Sequence, residues 1–356
     1  MAFLASDAYC VLICYNIHSN KSYIITILVN SMRWLLCAST FLWTSTAGAD
    51  VPRVSTDIAP VHALVALVME GVGSPDLTIP PGATPHSYAM RPSEARALAG
   101  ADLVVWVGPV LTPWLAEPIE TLAPNATHLT LQDSAGTEVL ENRSGVAFEA
   151  HDHGHDDHDD HGTDAHGAEA HGDEAEHDDH DAPAAFDPHL WLDPVNASAW
   201  LGTISDALIR LDPDHADTYR ANAAKGQTDL ARLTATIETQ LKPLQGRPFV
   251  VFHDAYHYFE GRFGTEASAA ISLSDGAAPS AARLSELRDV IAETQAVCIF
   301  TEPQFNPGLV AALDGEGTLK TAALDPLGAS LTLGPTLYPE LIQSLAQSFV
   351  DCLSEG

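Results

Sequence analysis

The stretch Leu103–Val107 reads Leu-Val-Val-Trp-Val, and it decides the fold class. It is a continuous apolar run rich in β-branched residues, which is typical of a strand buried on both faces of a parallel sheet. Helical patterns flank this run, since Pro92–Ala99 and Pro113–Leu122 each begin with a proline at the first helical position. The alternation of helix, strand and helix predicts an α/β protein.

A second alternating series follows in the C-terminal part of the chain. Its predicted elements are strand Phe249–Phe252, helix Leu284–Thr294, strand Val297–Thr301, helix Pro307–Leu313, strand Leu319–Leu324 and helix Tyr338–Leu353. The chain is therefore interpreted as two α/β lobes, an N-terminal lobe at 50–211 and a C-terminal lobe at 244–356.

A long helix is predicted between the lobes. Asp212-Pro213 combines an N-cap with a proline at the first helical position, and Asp193-Pro194 does the same for the preceding helix. The stretch from Asp212 continues with helical composition to about Leu241, which is about 43 Å at the helical rise. We assign 212–243 to this linking helix.

Composition and charge exclude several classes of function. The chain has 356 residues, and its 48 acidic against 16 basic side chains give a formal net charge of −32. A nucleic-acid-binding protein and a protein that docks on anionic lipid both need a basic surface, so neither is expected. Apolar residues make up 46% of the chain, which is enough for a sizeable core.

Residues 149–181 form a low-complexity acidic insertion. Of its 33 residues, 9 are histidine, 14 are acidic and the other 10 are Ala, Gly or Thr, so it cannot fill a core and is predicted to be a mobile loop. Clustered imidazoles and carboxylates bind divalent ions weakly, because the ligands are abundant but not preorganised. The insertion is interpreted as a zinc collector, a zinc sensor or buffer, or a solvated spacer. Its histidines are His151, His153, His155, His158, His161, His166, His171, His177 and His180.

Residues 1–49 have the pattern of an export signal with an upstream extension. Arg33 provides the positive start, Trp34–Trp43 is a short apolar run, and Ala47-Gly48-Ala49 is a small-residue cleavage pattern. The alternative is a membrane anchor from Tyr23 to Trp43, although polar residues interrupt that stretch. We expect cleavage near Ala49 and a periplasmic mature protein.

Two cysteines remain after the predicted cleavage site, Cys298 in a strand-like run and Cys352 in the last helical pattern. In an oxidising compartment an even pair favours a disulfide, which would connect the C-terminal helix to the sheet. Two buried thiols are the alternative.

Four polar residues at strand ends or in turn-rich loops are candidate metal ligands. His86 lies in a Thr-Pro-His-Ser loop, His189 in Asp-Pro-His-Leu-Trp, His253 directly after a predicted strand, and Asp325 after another strand. Zn²⁺ accepts imidazole nitrogen and carboxylate oxygen in a tetrahedral site. Spacing alone makes this a weak signal, because loop histidines are common at protein surfaces.

The pair His253 and His257 has the i, i+4 spacing of the His-Glu-x-x-His motif of zinc proteases. That motif needs both histidines on one helix face and a glutamate beside the metal-bound water. Here the first histidine follows a strand and the intervening acid is Asp254. His257 is therefore expected to be a partly exposed residue of the next helix.

A set of motifs in a fixed order resembles the zinc-specific solute-binding proteins of bacterial ABC importers, the ZnuA type of the cluster A-I metal-binding family. The similarity covers nearly all of residues 50–356 and includes an acidic His-rich insertion between the first two histidines. The motifs are Gly82–Ser93, Ala101–Pro109, His189–Leu192, Val251–Tyr256, Glu302–Phe305 and Leu324–Gly328.

The resemblance implies two Rossmann-like α/β lobes joined by a rigid long helix, with a metal site in the cleft between them. It implies His86, His189 and His253 as zinc ligands and a disulfide between Cys298 and Cys352. Some relatives have a glutamate before the first histidine, and Pro85 occupies that position here. The fourth ligand is then Asp325 or water.

The expected function is capture of Zn²⁺ in the periplasm and its delivery to an inner-membrane ABC permease with a cytoplasmic ATPase. The protein is expected to be a monomer and not an enzyme. The alternatives are a zinc-dependent hydrolase that uses His253 and His257, a free zinc buffer, and a manganese-binding relative. Three neutral imidazoles and at most one carboxylate favour zinc over manganese, which prefers oxygen-rich sites.

Overall fold

The first of two parallel sheets contains the run that decides the fold class. The computed structural model describes residues 51–143, 147–148, 186–272, 280–303, 313 and 319–354. The sheet has the strand order β2-β1-β3-β4, with all neighbours parallel, and its strands are β1 Val54–Thr56, β2 Asp76–Leu77, β3 Leu103–Trp106 and β4 Thr127–Thr130.

Strand β3 is buried on both faces, as predicted. Leu103 and Val105 belong to the main core together with helix α1, Ala59–Val68. Val104 and Trp106 point the opposite way, into a smaller cluster with α2, Pro92–Ala99, and α3, Pro113–Leu122. Side chains alternate between the two faces of a strand, so this division shows that helices cover both sides of the sheet.

The second sheet repeats the same topology. Its strand order is β6-β5-β7-β8, again parallel throughout, and three helices accompany it among the residues that the structure describes. Alternate residues of β5 enter the main core and a second small cluster, so this sheet is also covered on both faces. The elements are β5 Phe249–His253, α6 His257–Phe263, β6 Ala269–Ser272, α7 Ala281–Thr294, β7 Cys298–Thr301, β8 Lys320–Ala323 and α8 Leu337–Leu353.

Two helices connect the sheets. In α4, Pro194–Leu211, the side chain of the N-cap Asp193 accepts a hydrogen bond from the Val195 N–H. Helix α5, Ala216–Leu241, has 26 residues and follows a short 3₁₀ turn at Pro213–His215. It packs against α4, α1 and α8, so it contacts helices that belong to both sheets. The predicted start at Asp212-Pro213 is therefore a 3₁₀ turn, and the α-helix itself is about 39 Å long.

The predicted α/β class with parallel sheets and a long helix is confirmed. One core cluster contains side chains from both sheets, and residues 50–356 form one compact unit. The lobe boundaries at 211 and 243 stay predictions. The export signal at 1–49, the alternative anchor and the insertion at 149–181 lie outside the described residues. Among the described helices, no segment combines the length and apolarity that a membrane span requires.

Several element boundaries differ from the predictions. The predicted strand Phe249–Phe252 extends by one residue, so that His253 ends β5. Strands β2, β4 and β6 were not predicted. The helix predicted at Pro307–Leu313 lies almost wholly outside the described residues.

The disulfide between Cys298 and Cys352 is confirmed, with a Cα–Cα distance of 5.9 Å. Cys298 begins β7 and Cys352 lies in the last turn of α8, and both are buried. The bond therefore connects the C-terminal helix to the second sheet.

Candidate metal centre

Three histidines from distant parts of the chain converge between the two sheets. His86 lies in the loop between β2 and α2, His189 directly precedes a 3₁₀ turn at Leu190–Leu192, and His253 is the last residue of β5. One potential ligand nitrogen from each ring lies within 4.8 Å of the other two. The ring centroids are 4.9 Å apart for His189 and His253, and 5.7 and 6.2 Å from His86 to these two rings.

The three rings line one small cavity. Its volume is about 20 Å³, which is room for about one water-sized sphere. His189 and His253 are buried, with 4% and 3% of their surface exposed, whereas His86 is half-buried. The remaining lining residues are Gly82–Pro85, Trp191, Asp325–Leu327 and Ala329. A cavity of this size with three imidazoles fits a single ion better than an organic ligand.

Helices α2 and α3 hold the loop that positions His86. The indole N–H of Trp114 in α3 donates to the Pro85 carbonyl at 2.7 Å, directly beside His86. The Tyr88 hydroxyl donates to the Glu94 carboxylate of α2 at 2.9 Å. The loop turns at Gly82, whose φ of 83° is in the left-handed region that favours glycine. These contacts fix the backbone on both sides of His86.

A carboxylate contacts the Nδ1 atom of His189. Asp187 Oδ1 lies 2.7 Å from His189 Nδ1 and also accepts the backbone N–H of His189 at 2.9 Å. Burial raises the pKa of the Asp187 carboxyl to about 7; the hydrogen bond from His189 opposes this shift, and the nearby Asp254 adds to it. The Asp-Pro-His sequence was noticed only for its histidine, so the role of Asp187 was missed.

His253 also has a carboxylate on its Nδ1 side. Glu302, directly after β7, has its Oε1 3.6 Å from His253 Nδ1. This distance is longer than a hydrogen bond. Glu302 is 3% exposed, so its carboxyl group lies in the interior beside the ring. It belongs to the motif Glu302–Phe305 that was noticed in the sequence, but no role was predicted for it.

A buried ion cluster lies beside the same strand end. Arg143 donates to the carboxylate of Asp254, which follows His253, and to Glu260 Oε2 in α6 at 2.6 Å. The guanidinium lies 4.0 Å from the centroid of the Phe148 ring. Burial opposes the charge on Arg143, but the two carboxylates outweigh it and raise its pKa. Burial raises the pKa of Glu260, and Arg143 counteracts this shift.

Asp325 lines the cavity but is not part of the group of close ligand atoms that the described residues form. Its carboxylate accepts three backbone N–H groups, from Leu327 at 3.1 Å, Gly328 at 2.9 Å and Ala329 at 2.7 Å. A carboxylate has about four lone-pair sites, so these bonds leave acceptor capacity. Its role as a fourth ligand stays a prediction.

His257 is the first residue of α6, and its side chain is 18% exposed. It is therefore a partly exposed helix residue, as expected. Its Nδ1 lies 3.7 Å from Asp187 Oδ2. Since His253 ends a strand and His257 begins a helix, the pair does not share one helix face as a zinc protease motif requires. The nine histidines of the insertion lie outside the described residues.

Comparisons with known proteins agree with the motif order. The family model of ZnuA, described as the periplasmic component A of a zinc-uptake complex, matches residues 54–352. The high-affinity zinc uptake system protein ZnuA of Paracoccus denitrificans is 48% identical over 308 residues, which cover 86% of this chain and 93% of that protein. The protein of the same name from Yersinia pestis is 33% identical, with 92% and 100% covered.

Solved structures show the same fold. A crystal structure of ZnuA superposes with a TM-score of 0.68 at 24% identity, and the match covers 86% of this chain and 100% of the other. The periplasmic zinc binding protein TroA from Treponema pallidum gives 0.67 at 21% identity, with 85% and 99% covered. At these sequence identities the structural similarity shows the fold alone. Together with the family match over residues 54–352, the relatives show that this chain belongs to the ZnuA family.

Proposed function

We propose that this protein is the periplasmic zinc-binding component of an ABC zinc importer. His86, His189 and His253 bind one Zn²⁺ ion, and Asp325 or water completes the tetrahedron. The observation that carries the proposal is the approach of three imidazole nitrogens to within 4.8 Å of one another. At Zn–N distances of 2.0–2.1 Å, tetrahedral ligands are about 3.4 Å apart, so shifts on the order of 1 Å bring the rings into bonding distance.

The donor set supports zinc as the cargo. Imidazole nitrogens suit Zn²⁺, whereas Mn²⁺ prefers sites rich in carboxylate and carbonyl oxygen. Relatives that are 33–48% identical are named for zinc uptake, in agreement with this choice. With Asp325 as the fourth ligand the site is closed by protein groups, which favours carriage over catalysis, because catalytic zinc keeps an open position for substrate. The hydrolase alternative has no support from the placement of His257.

The proposal includes the location and the partners of the protein. An export signal is cleaved near Ala49, and the mature protein is periplasmic, as the description of its family supports. Its lobes are 50–211 and 244–356, the linking helix is 212–243, and the protein acts as a monomer. It delivers Zn²⁺ to a permease in the inner membrane, which works with a cytoplasmic ATPase. In this scheme the insertion at 149–181 binds additional ions weakly.

Zinc titration of the purified zinc-free protein against a chromophoric chelator tests the site. The wild type is expected to bind one ion tightly, and each of His86→Ala, His189→Ala and His253→Ala to lose more than the roughly 10–100-fold that outer-shell changes cost. His128→Ala is the matched control, and His257→Ala tests the hydrolase alternative. His128 lies in β4 and bonds to the Ala123 carbonyl, outside the cavity.

Removal of 149–181 separates the insertion from the cavity. The tight site is expected to remain and only weaker binding to disappear. If the tight site is lost with the insertion and the three alanine variants bind like the wild type, the cavity is not the zinc site. If His257→Ala abolishes tight binding, the ligand set is wrong and the hydrolase pair returns to consideration.

A further inference from the structure

We propose that Asp187 is a positioning residue for zinc binding: it accepts the Nδ1–H of His189 and so presents the Nε2 lone pair of that ring to the ion. The inference rests on the proposed function, because it takes His189 as a ligand. It assigns a role to a residue that does not itself bind the metal.

The contacts of Asp187 fix the ring in two ways. One carboxylate oxygen, Oδ1, accepts from both the backbone N–H and the ring Nδ1 of His189, at 2.9 and 2.7 Å. The backbone bond fixes the position of the His189 main chain, and the side-chain bond fixes the rotation of its ring. Both side chains are about 5% exposed or less, so water does not compete for the acceptor.

The main chain of Asp187 is itself firmly held. Its N–H donates to the Leu140 carbonyl at 2.9 Å. Its carbonyl accepts the hydroxyl of Tyr258 at 3.0 Å, and the same hydroxyl accepts the N–H of Leu140 at 2.9 Å. Tyr258 is buried in α6. The main chain of Asp187 is therefore held both by Leu140, in the segment before the insertion, and by α6.

Several ionisable groups lie beside the Asp187 carboxyl. Its second oxygen, Oδ2, lies 3.7 Å from His257 Nδ1. Asp254 and Arg143 are close enough to act on the carboxyl electrostatically, and Arg143 is itself ion-paired with Asp254. The carboxyl group behind His189 therefore belongs to a buried cluster in which the carboxyl groups of Asp187, Asp254 and Glu260 lie around the Arg143 guanidinium.

The other two rings have different contacts. Glu302 Oε1 lies 3.6 Å from His253 Nδ1. The loop of His86 is held through the carbonyl of Pro85, which accepts from Trp114. A neutral histidine carries one proton on one of its two nitrogens, and the bond made by one nitrogen decides which is free for a metal. Outer partners of this kind typically change metal affinity 10–100-fold.

Imidazole ¹H–¹⁵N multiple-bond NMR of the zinc-free protein tests the bond directly. The spectrum is taken at about pH 8.5, above the ordinary imidazole pKa of about 6.5, so that the rings are neutral. The expected result is the Nδ1–H tautomer for His189 in the wild type and a shift toward Nε2–H in Asp187→Ala. An Nε2–H tautomer in the wild type would overturn the proposal, and this measurement needs no variant to fold.

Zinc affinity provides the second readout. Asp187→Ala is expected to lose roughly 10–100-fold, with one ion still bound. Asp187→Asn keeps an amide oxygen that accepts Nδ1–H and is expected to recover most of the loss. The control is Asp193→Ala, which removes a buried carboxylate that caps α4 and pairs with Arg262, without touching the ring. It is expected to lower stability but to leave zinc affinity within about twofold of the wild type.

The outcomes separate this proposal from the proposed function. If His189→Ala binds zinc like the wild type, the ligand assignment fails, whatever the tautomer is. If His189→Ala weakens binding but Asp187→Ala does not, only the positioning role is wrong. Equal losses in Asp187→Ala and Asp193→Ala would also overturn it, because they would show a general loss of structure.

Discussion

The two sheets have the same strand order, but the residues at the ends of their equivalent strands have different roles. In the first sheet, β1 is followed by Asp57, which is 1% exposed and accepts the N–H groups of Ile58 at 2.8 Å and Val107 at 2.7 Å. In the second sheet, β5 ends in His253, whose ring faces His189 at 4.9 Å. At the same topological position, one sheet has a carboxylate that accepts backbone N–H groups, and the other has a candidate metal ligand.

This difference changes how each sheet is stabilised. Val107 directly follows β3, so Asp57 joins the ends of two neighbouring strands from within the first sheet. In the second sheet the carboxylate that follows β5, Asp254, is paired with Arg143. Two contacts from outside the sheet stabilise it, the ion pairs of Arg143 and the disulfide between Cys298 and Cys352 of α8. The ligand position is thus supported by distant parts of the chain.

The largest expected effect comes from Arg143→Ala. The change leaves the carboxylates of Asp254 and Glu260 buried without their cation, and removal of one partner of a buried ion pair costs about 3–5 kcal/mol. Urea unfolding of the zinc-free protein measures the loss. The matched control in the first sheet is Arg53→Ala, whose pair with Asp102 is mostly exposed and is expected to contribute less than about 1 kcal/mol.

If Arg143→Ala and Arg53→Ala cost the same, the second sheet does not depend on its external ion cluster. The contrast between the sheets would then lose its main support.

The disulfide gives the next effect. Cys298 and Cys352 are separated by 54 residues, and a closed loop of that length stabilises the folded state by about 4 kcal/mol in the chain-entropy model. The variant Cys298→Ala with Cys352→Ala is expected to lose about 2–4 kcal/mol in urea unfolding. Reductant is the control, because it should lower the stability of the wild type and leave the double variant unchanged. Wild-type stability that is insensitive to complete reduction would contradict the prediction.

The buried strands β3, β5 and β7 and the edge strand β8 were predicted from local sequence, whereas β2, β4 and β6 were not. Leu103–Val107 and Phe249–Phe252 are apolar on both faces, so burial alone identifies them. Ala269–Ser272 reads Ala-Ala-Ile-Ser, which has little strand preference, and its conformation comes from pairing with β5. Asp76–Leu77 has only two residues, which is too short for any periodicity.

The candidate site divides in the same way. His86, His189 and His253 stand out because they lie in turn-rich motifs at strand or loop positions. Arg143 could not be assigned, since its partner Asp254 is 111 residues away and only the fold brings them together. Asp187 is different, because an aspartate two residues before a candidate ligand is a local signal that was available in the sequence.

The smallest expected effect is the pH dependence that Asp57 gives to the stability of the protein. Burial raises the pKa of Asp57 from 3.8 to about 7, and the two backbone hydrogen bonds oppose this shift. A folded-state pKa above the unfolded value means that the folded protein binds more protons between these limits. The contribution of Asp57 to the free energy of unfolding is therefore fully present below about pH 4 and is lost as the pH rises through about 7.

The linkage relation gives a loss of about 2 kcal/mol between pH 5 and pH 7 from this one carboxyl. Asp57→Asn removes the titration and keeps one acceptor for a backbone N–H. Urea unfolding of the zinc-free proteins at a series of pH values is expected to show a shallower decline for the variant, by this amount. Other titrating groups, including Asp187, act in both proteins and cancel in the difference. Parallel pH profiles for the two proteins would mean that Asp57 stays ionised in the folded protein, and the prediction would then be wrong.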